Sequence, residues 1–241
     1  MRQGSPIRAA IFDLDGTLVD SEPLYAESDA AFLAEYGIVL DEATAASLVG
    51  IGTRDSFLLL ERLFPDSPLS ALPLSERIRL KDLRYLAFAA GKEILFPASA
   101  ALVAELSARG IPLALASGSS PLVVGTILAE LGLAPSFRIV ITAMEVARGK
   151  PEPDLFLETA RRLGVEPASC LVFEDSVPGV LAAAAAGMPC VALPEPRSGR
   201  DPGFAGASLV IEGGPAALEV GGLLSRLEAL GLGIGDGHRP N

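Results

Sequence analysis

The alternation of apolar and polar positions divides the chain into two kinds of segment. Residues 7–13, "IRAAIFD", hold a short, nearly continuous apolar run, as a strand buried on both faces requires. From about residue 21 to 90 the apolar positions recur at helical spacing instead, in "SEPLYAESDAAFLAEYG", "TRDSFLLLERLF" and "SERIRLKDLRYLAFAAG". In the first of these, Leu24, Ala31, Phe32 and Tyr36 form an approximate stripe and Gly37 supplies a C-terminal stop. This block predicts a helical bundle. From residue 98 onward, helical stretches ("SAALVAELSARG", "PLVVGTILAELG", "PDLFLETARRLG", "VPGVLAAAAAGM") alternate with strand-like ones ("IPLALAS", "FRIVIT", "SCLVFED", "PCVAL"). Such alternation predicts right-handed βαβ crossovers and a parallel sheet covered on both faces, with the strand at 7–13 as a further member.

The expected architecture is therefore α/β: a Rossmann-like, doubly wound parallel sheet interrupted after its first strand by an inserted helical domain. The boundaries fall at residues 1–19 and 92–230 for the core, 20–91 for the helical insert, and 231–241 for a flexible tail. Two connections cross between the parts, near 17–20 and 91–97, the second punctuated by Gly91 and Pro97. Residues 194–207, rich in Pro, Gly and Arg, read as a surface loop.

Bulk composition narrows the function classes. In 241 residues, 50% are hydrophobic and the mean hydropathy is +0.43, enough for a substantial core. A formal net charge of -11 excludes a sequence-independent grip on nucleic acid, which needs a basic face. It also makes any single basic residue inside a motif more informative. The start of the chain shows no secretory pattern and no window resembles a membrane span, so a cytoplasmic location is expected. Cys170 and Cys190 lack CxxC spacing and lie among apolar neighbours, as small buried thiols do. The one histidine, His238, falls in the Gly-rich tail, which excludes histidine-based catalysis and a multi-histidine zinc site.

Ligands of open parallel sheets bind beyond the carboxyl ends of the strands. The residues just past each predicted strand are unusually polar: Asp13, Asp15, Gly16 and Thr17 in "DLDGT"; Ser117 to Ser120 in "SGSS"; Lys150 in "RGKPEPD"; Glu174, Asp175 and Ser176 in "EDS". Each alone has a plain structural reading, as a Gly turn, an N-cap serine, a solvated Pro-rich turn or helix N-cap chemistry. Their convergence on one end of one sheet favours the functional reading. Asp13 and Asp15, two residues apart at a strand end, are expected to lie close and repel. Carboxylates without histidine or thiolate form a hard oxygen site that selects Mg²⁺. With Lys150, such a site neutralises an incoming dianion such as phosphate, while Ser117, Gly118 and the adjoining amides offer hydrogen bonds to its oxygens.

The order DxDGT, Ser, Lys, EDS resembles the haloacid dehalogenase-like hydrolase superfamily over roughly residues 7 to 230. "DLDGTLVDSEP", "GKPEPDLF" and "VFEDSVPGVLAAAAAGM" are similar to the branch holding β-phosphoglucomutase, phosphoglycolate phosphatase and small sugar-phosphate phosphatases. The resemblance implies a sheet of five or more strands with a helical cap. It further implies Asp13 as nucleophile, Asp15 as general acid and then base, Thr17 and Ser117 orienting the phosphoryl group, and Lys150 holding its charge. Mg²⁺ would be held by Asp13, the main-chain carbonyl of Asp15, and Asp175 with Glu174 nearby. The presence of Asp15 disfavours dehalogenation, since halide needs no proton. Mutase relatives carry a histidine shortly after the first motif, where this chain has Tyr25, and a basic residue in the cap loop, which here reads "LVGIGTRDS". Arg54 in that loop is a candidate contact for a second anionic group, or equally a solvated helix N-terminal residue or an ion-pair partner of Asp55 or Asp20. The expected activity is Mg²⁺-dependent hydrolysis of a small phosphorylated metabolite by a monomer or weak homo-oligomer. A hexose-phosphate mutase and a catalytically silent phosphate-ligand binding protein are the alternatives.

Overall fold

A computed structural model describes residues 6–48, 50–196 and 201–234; His238 lies outside them. Six parallel strands, β1 (Ala9–Phe12), β2 (Leu113–Ser117), β3 (Ile139–Thr142), β4 (Cys170–Glu174), β5 (Cys190–Ala192) and β6 (Leu209–Val210), form one sheet in the order β3-β2-β1-β4-β5-β6. The chain winds outward from β1 in one direction, returns to β4 and winds the other way. The strand order thus reverses at β1, the topological position at which open sheets bind ligands.

Alternation along β1 assigns each residue to a layer. Ala10 and Phe12 face one apolar cluster, with Leu102, Val103 and Leu106 of α5 (Pro97–Ala108) and Val123, Val124, Ile127 and Leu128 of α6 (Pro121–Glu130). Ala9 and Ile11 face the other, with Leu155, Phe156 and Ala160 of α7 (Asp154–Leu163) and Val180, Ala182 and Ala183 of α8 (Val177–Ala185). The alanines of α8 let that helix approach the sheet closely. Cys170 and Cys190 are free and buried.

Between β1 and α5 run four helices: α1 (Glu22–Ala34), α2 (Glu42–Leu48), α3 (Thr53–Leu63) and α4 (Leu74–Ala89). They enclose a cluster of their own, Phe32, Leu33, Ile38, Phe57, Leu60, Leu69 and Ile78, separate from those against the sheet. Where the chain leaves and re-enters the sheet, the two segments pair: Asp20 N–H donates to Ile94 O (2.7 Å) and Phe96 N–H to Leu18 O (2.9 Å). Pro97 starts α5, where a missing N–H costs nothing.

Two expectations need correction. The segment 194–207 is not wholly a surface loop: Phe204, in a short 3-10 turn (Pro202–Gly206), is buried against the α7–α8 layer. Strand β6 and a final helix, α9 (Val220–Ala229), come after it; two strand residues are too few to show alternation in sequence. Part of the expected flexible tail is held, since Ile7 N–H donates to Gly233 O (3.1 Å) and Ile234 pairs with Ile7, while residues 235–241 lie outside the described residues.

Phe12, at the end of β1, stacks on Phe173 of β4 at 4.6 Å between centroids and meets Phe137 edge-on at 6.1 Å. Truncation there leaves a cavity immediately beneath the site. Phe12→Ala is expected to reduce the unfolding free energy by about 3–5 kcal/mol, read as a shift in urea midpoint at unchanged slope; a loss below about 1 kcal/mol would place it among tolerated surface changes.

Candidate active site

The carboxyl ends of β1 and β4 deliver three acidic groups to one point. Asp13 follows Phe12, Glu174 ends β4 and Asp175 comes next; one carboxylate oxygen from each lies within 4.8 Å of the others. Lys150 reaches them from the segment ahead of α7. Its Nζ donates to Asp13 Oδ1 (2.5 Å), to Glu174 Oε1 (2.5 Å) and to Ala116 O at the end of β2 (3.4 Å). Asp13, Glu174 and Lys150 are all buried, so the solvated reading of Lys150 fails. Glu174 is held on its other oxygen by the backbone N–H (2.8 Å) and hydroxyl (2.9 Å) of Ser176, which also caps α8.

Two glycines make room for this cluster. A Cβ on Gly16, whose φ is +73°, would lie 2.1 Å from Asp175 Oδ2, and one on Gly179 would lie 1.9 Å from the Glu174 carboxyl carbon. Neither position admits a side chain. Thr17 is fully buried; its hydroxyl donates to Asp175 Oδ1 (3.3 Å) and its carbonyl accepts from Ser99 Oγ (2.7 Å). Here Thr17 orients Asp175. Ser117 accepts the Ser119 N–H (3.0 Å), shaping the loop after β2.

Charge crowding governs the protonation of the cluster. Burial pushes Asp13 up to about 7; Lys150 opposes this, while Glu174 and then Asp15 reinforce it. Asp175 is raised well above the ordinary carboxylate range by burial and by the charges of Glu174, Asp13 and Glu22. Burial by itself would lower Lys150, but Asp13 and Glu174 more than reverse it, so the ammonium keeps its proton. Three carboxylates against one ammonium leave a formal charge of −2 when all are ionised, supplied entirely by hard oxygen donors. A divalent, oxygen-seeking cation such as Mg²⁺ fits that set.

Asp15 leaves the strand path that i, i+2 spacing assumes, although its charge still raises the pKa of Asp13. β1 ends at Phe12, and Asp15 forms an isolated bridge with Val19 across the turn that Gly16 opens. Its carboxylate accepts Ser21 Oγ at Oδ1 (2.8 Å) and Ser119 Oγ at Oδ2 (2.6 Å). Burial raises its pKa, against the Ser119 and Ser21 hydrogen bonds and the charges of Lys81 and Lys150. Its side chain stands outside the three-carboxylate cluster. The Tyr25 hydroxyl lies 2.9 Å from Ser119 Oγ, and the Tyr25 ring stacks on Tyr85 at 3.9 Å with Lys81 Nζ 4.4 Å from its centroid.

The loop preceding α3 covers the site from the helical insert. A Cβ on Gly50 would meet Ser176 Cβ at 2.8 Å, and one on Gly118 would lie 3.3 Å from Gly52 Cα. The freedom of approach at Gly118 is thus used here by the insert, and Thr53 N–H donates to Gly118 O (3.2 Å). Arg54 does not point at the carboxylates. Its guanidinium donates to Asp55 Oδ1 (3.2 Å), Val146 O (3.0 Å) and Ala147 O (3.0 Å), so it joins insert to core. A buried bond from Ser120 Oγ to Asp82 Oδ2 (2.6 Å) adds a third tie.

Ser21, Ser119 and Lys81 join the site without being marked for it individually by the sequence. Ser119 stands inside the conspicuous "SGSS", and Lys81 and Tyr85 share a helix face at i, i+4, but nothing in the sequence aims that face at Asp15.

The family model of haloacid dehalogenase-like hydrolases matches residues 7–187. Hexitol phosphatase B of Escherichia coli (strain K12) is 30% identical over 198 residues, 82% of this chain and 88% of that protein. The bifunctional riboflavin kinase/FMN phosphatase of Arabidopsis thaliana is 33% identical over 187 residues, covering 76% of this chain but 48% of that longer protein. Among solved structures, CbbY from Rhodobacter sphaeroides in complex with phosphate superposes with a TM-score of 0.77 at 30% identity, covering 87% of this chain and 95% of that one. The chain belongs to the haloacid dehalogenase-like hydrolase family. Within that family it is a phosphatase. Among the described residues no helix is long and apolar enough to cross a membrane.

A carboxyl whose folded pKa is raised penalises the folded state when ionised. For Asp13 that penalty is complete above about 7 and fades as pH falls toward the ordinary value of 3.8. The metal-free protein is therefore expected to gain melting temperature, relative to Asp13→Asn, as pH is lowered from 8 to about 5. Added Mg²⁺ should stabilise the wild type more at pH 8 than at pH 5; equal shifts at both would contradict the assignment.

Proposed function

We propose that this chain is a Mg²⁺-dependent phosphatase that hydrolyses a small phosphorylated metabolite, a sugar or polyol phosphate, through an aspartyl-phosphate on Asp13. The observation that carries this reading is the position of Asp13: a buried carboxylate, one oxygen held by Lys150, at the rim shared with Glu174 and Asp175. Hexitol phosphatase B, similar over most of both chains, supports the substrate class.

In this reading Lys150 and the amides of the loop after Ser117 hold the phosphoryl oxygens while Asp13 attacks phosphorus in line with the departing alkoxide. Asp15 protonates that alkoxide. Burial raises its pKa, the direction a proton donor needs, and the same carboxylate then takes a proton from the water that cleaves the acyl phosphate. Bound by Asp13, Asp175 and the main-chain carbonyl of Asp15, with Glu174 behind, Mg²⁺ would supply the positive charge that lets a phosphate dianion approach these carboxylates. The loop carrying Gly50 and Gly52 excludes bulk water when closed and must lift for exchange of substrate and product.

Hydrolysis is favoured over the mutase alternative by the side chains that face the site. Arg54 is engaged by Asp55 and two carbonyls, which hold its guanidinium as a link between insert and core. Tyr25 occupies the position where mutase relatives have histidine.

Incubation of the pure protein with a panel of sugar, polyol and aryl phosphates tests the reading. Inorganic phosphate should appear in proportion to substrate consumed, be abolished by EDTA and return with Mg²⁺. Asp13→Asn should lower turnover at least ~10³-fold while the fold persists. Isomerised product without phosphate would establish the mutase, and no metal-dependent turnover on any ester would establish a binding role.

A further inference from the structure

Asp15 is connected to the helical insert by a chain of hydroxyls. Ser21 donates to its Oδ1 (2.8 Å) and Ser119 to its Oδ2 (2.6 Å), so each carboxylate oxygen has one fixed partner. Ser119 has a single proton, and that proton is given to Asp15. The 2.9 Å contact between Ser119 Oγ and Tyr25 Oη is then satisfied only with Tyr25 as donor. The three groups form a directed relay, Tyr25 O–H to Ser119 O–H to Asp15, in which each bond polarises the next.

Tyr25 is rigid where it stands. Its ring is stacked on Tyr85 at 3.9 Å, nearly parallel at 10°, and Lys81 Nζ sits 4.4 Å from its centroid, itself anchored to Asp29 at 3.0 Å. Tyr25 lies on α1 and Tyr85 and Lys81 on α4, both in the insert, whereas Ser119 and Asp15 lie on loops at the rim of the sheet. The relay therefore crosses from insert to core beside the ties made by Thr53, Arg54 and Asp82.

We propose that Tyr25, acting through Ser119, is a positioning residue for Asp15: with the insert seated on the core, it fixes the carboxyl in the orientation from which the leaving-group oxygen is protonated. Without the Tyr25 bond, the Ser119 oxygen loses one of its two partners, and the hydroxyl that holds Asp15 Oδ2 is less firmly oriented. This rests on the phosphatase reading above, in which Asp15 serves the leaving group.

Proton donation matters most for a poor leaving group. An alkyl phosphate loses an alkoxide that needs a proton, whereas p-nitrophenyl phosphate loses a phenolate that departs without one. The test compares kcat/KM, which covers formation of the phosphoenzyme alone, for both esters in wild type, Tyr25→Phe, Ser119→Ala and the double variant. Tyr25→Phe, which keeps the ring and its stacking, should lower kcat/KM for a hexitol phosphate about tenfold more than for the aryl ester, a modest share of the usual contribution of general acid catalysis. Ser119→Ala should discriminate in the same direction, and the double variant should be no worse than Ser119→Ala, because both act on one path. Equal losses on the two esters, or additive effects in the double variant, would overturn the relay while leaving the phosphatase reading intact. Failure of the wild type to release phosphate from either ester would overturn both.

Discussion

One buried ammonium among three carboxylates sets the terms for the rest of the molecule. Lys150 lies 2.5 Å from Asp13 and from Glu174, and Asp175 is within reach of both acids. Placing such groups out of water is tolerable only when each charge has a partner, and one lysine does not balance three acids. The fold concentrates this imbalance at one point: β1 and β4 are neighbours, they end level in register, and the strand order reverses between them. The unmet negative charge has the form of a site for a divalent cation, and the ammonium beside Asp13 has the form of a phosphate anchor.

Around that centre, side chains that look functional divide into two tasks. Thr17, Ser176, Gly16 and Gly179 hold Asp175 and Glu174 in place by hydrogen bonds or by leaving room. Tyr25, Ser119 and Ser21 do the same for Asp15. Asp13 and Asp15 thus have different hydrogen-bond partners, a lysine for the one and hydroxyls for the other. Burial raises both carboxyl groups, opposed at Asp13 chiefly by Lys150 and at Asp15 chiefly by the Ser119 and Ser21 hydroxyls.

Much of this is legible in the sequence, for identifiable reasons. Asp13, Lys150, Glu174 and Asp175 each sit at or just beyond a strand end or crossover, so the topology that apolar periodicity predicts already brings them together. Asp15 is misplaced by strand spacing because that spacing stops at Phe12, and the turn beyond redirects its carboxyl. Arg54 is not placed by its sequence because two of its partners are carbonyls some ninety residues away, and a backbone oxygen leaves no mark in composition. Tyr25 and Ser119 meet across the joint between insert and core, a contact made by docking rather than by any local pattern. Strand β6 is silent in the sequence because Leu209 and Val210 are too short a run for alternation.

The central claim is that Asp13 accepts the phosphoryl group. It is tested most directly by acid-quenching the protein during steady turnover with Mg²⁺ and mapping its peptides by mass spectrometry. The account predicts that the peptide carrying Asp13 gains the mass of one phosphoryl group, in a form lost on mild base treatment and absent from Asp13→Asn. Turnover with no phosphorylated peptide at any quench time, or with the group on Ser117 instead, would contradict it.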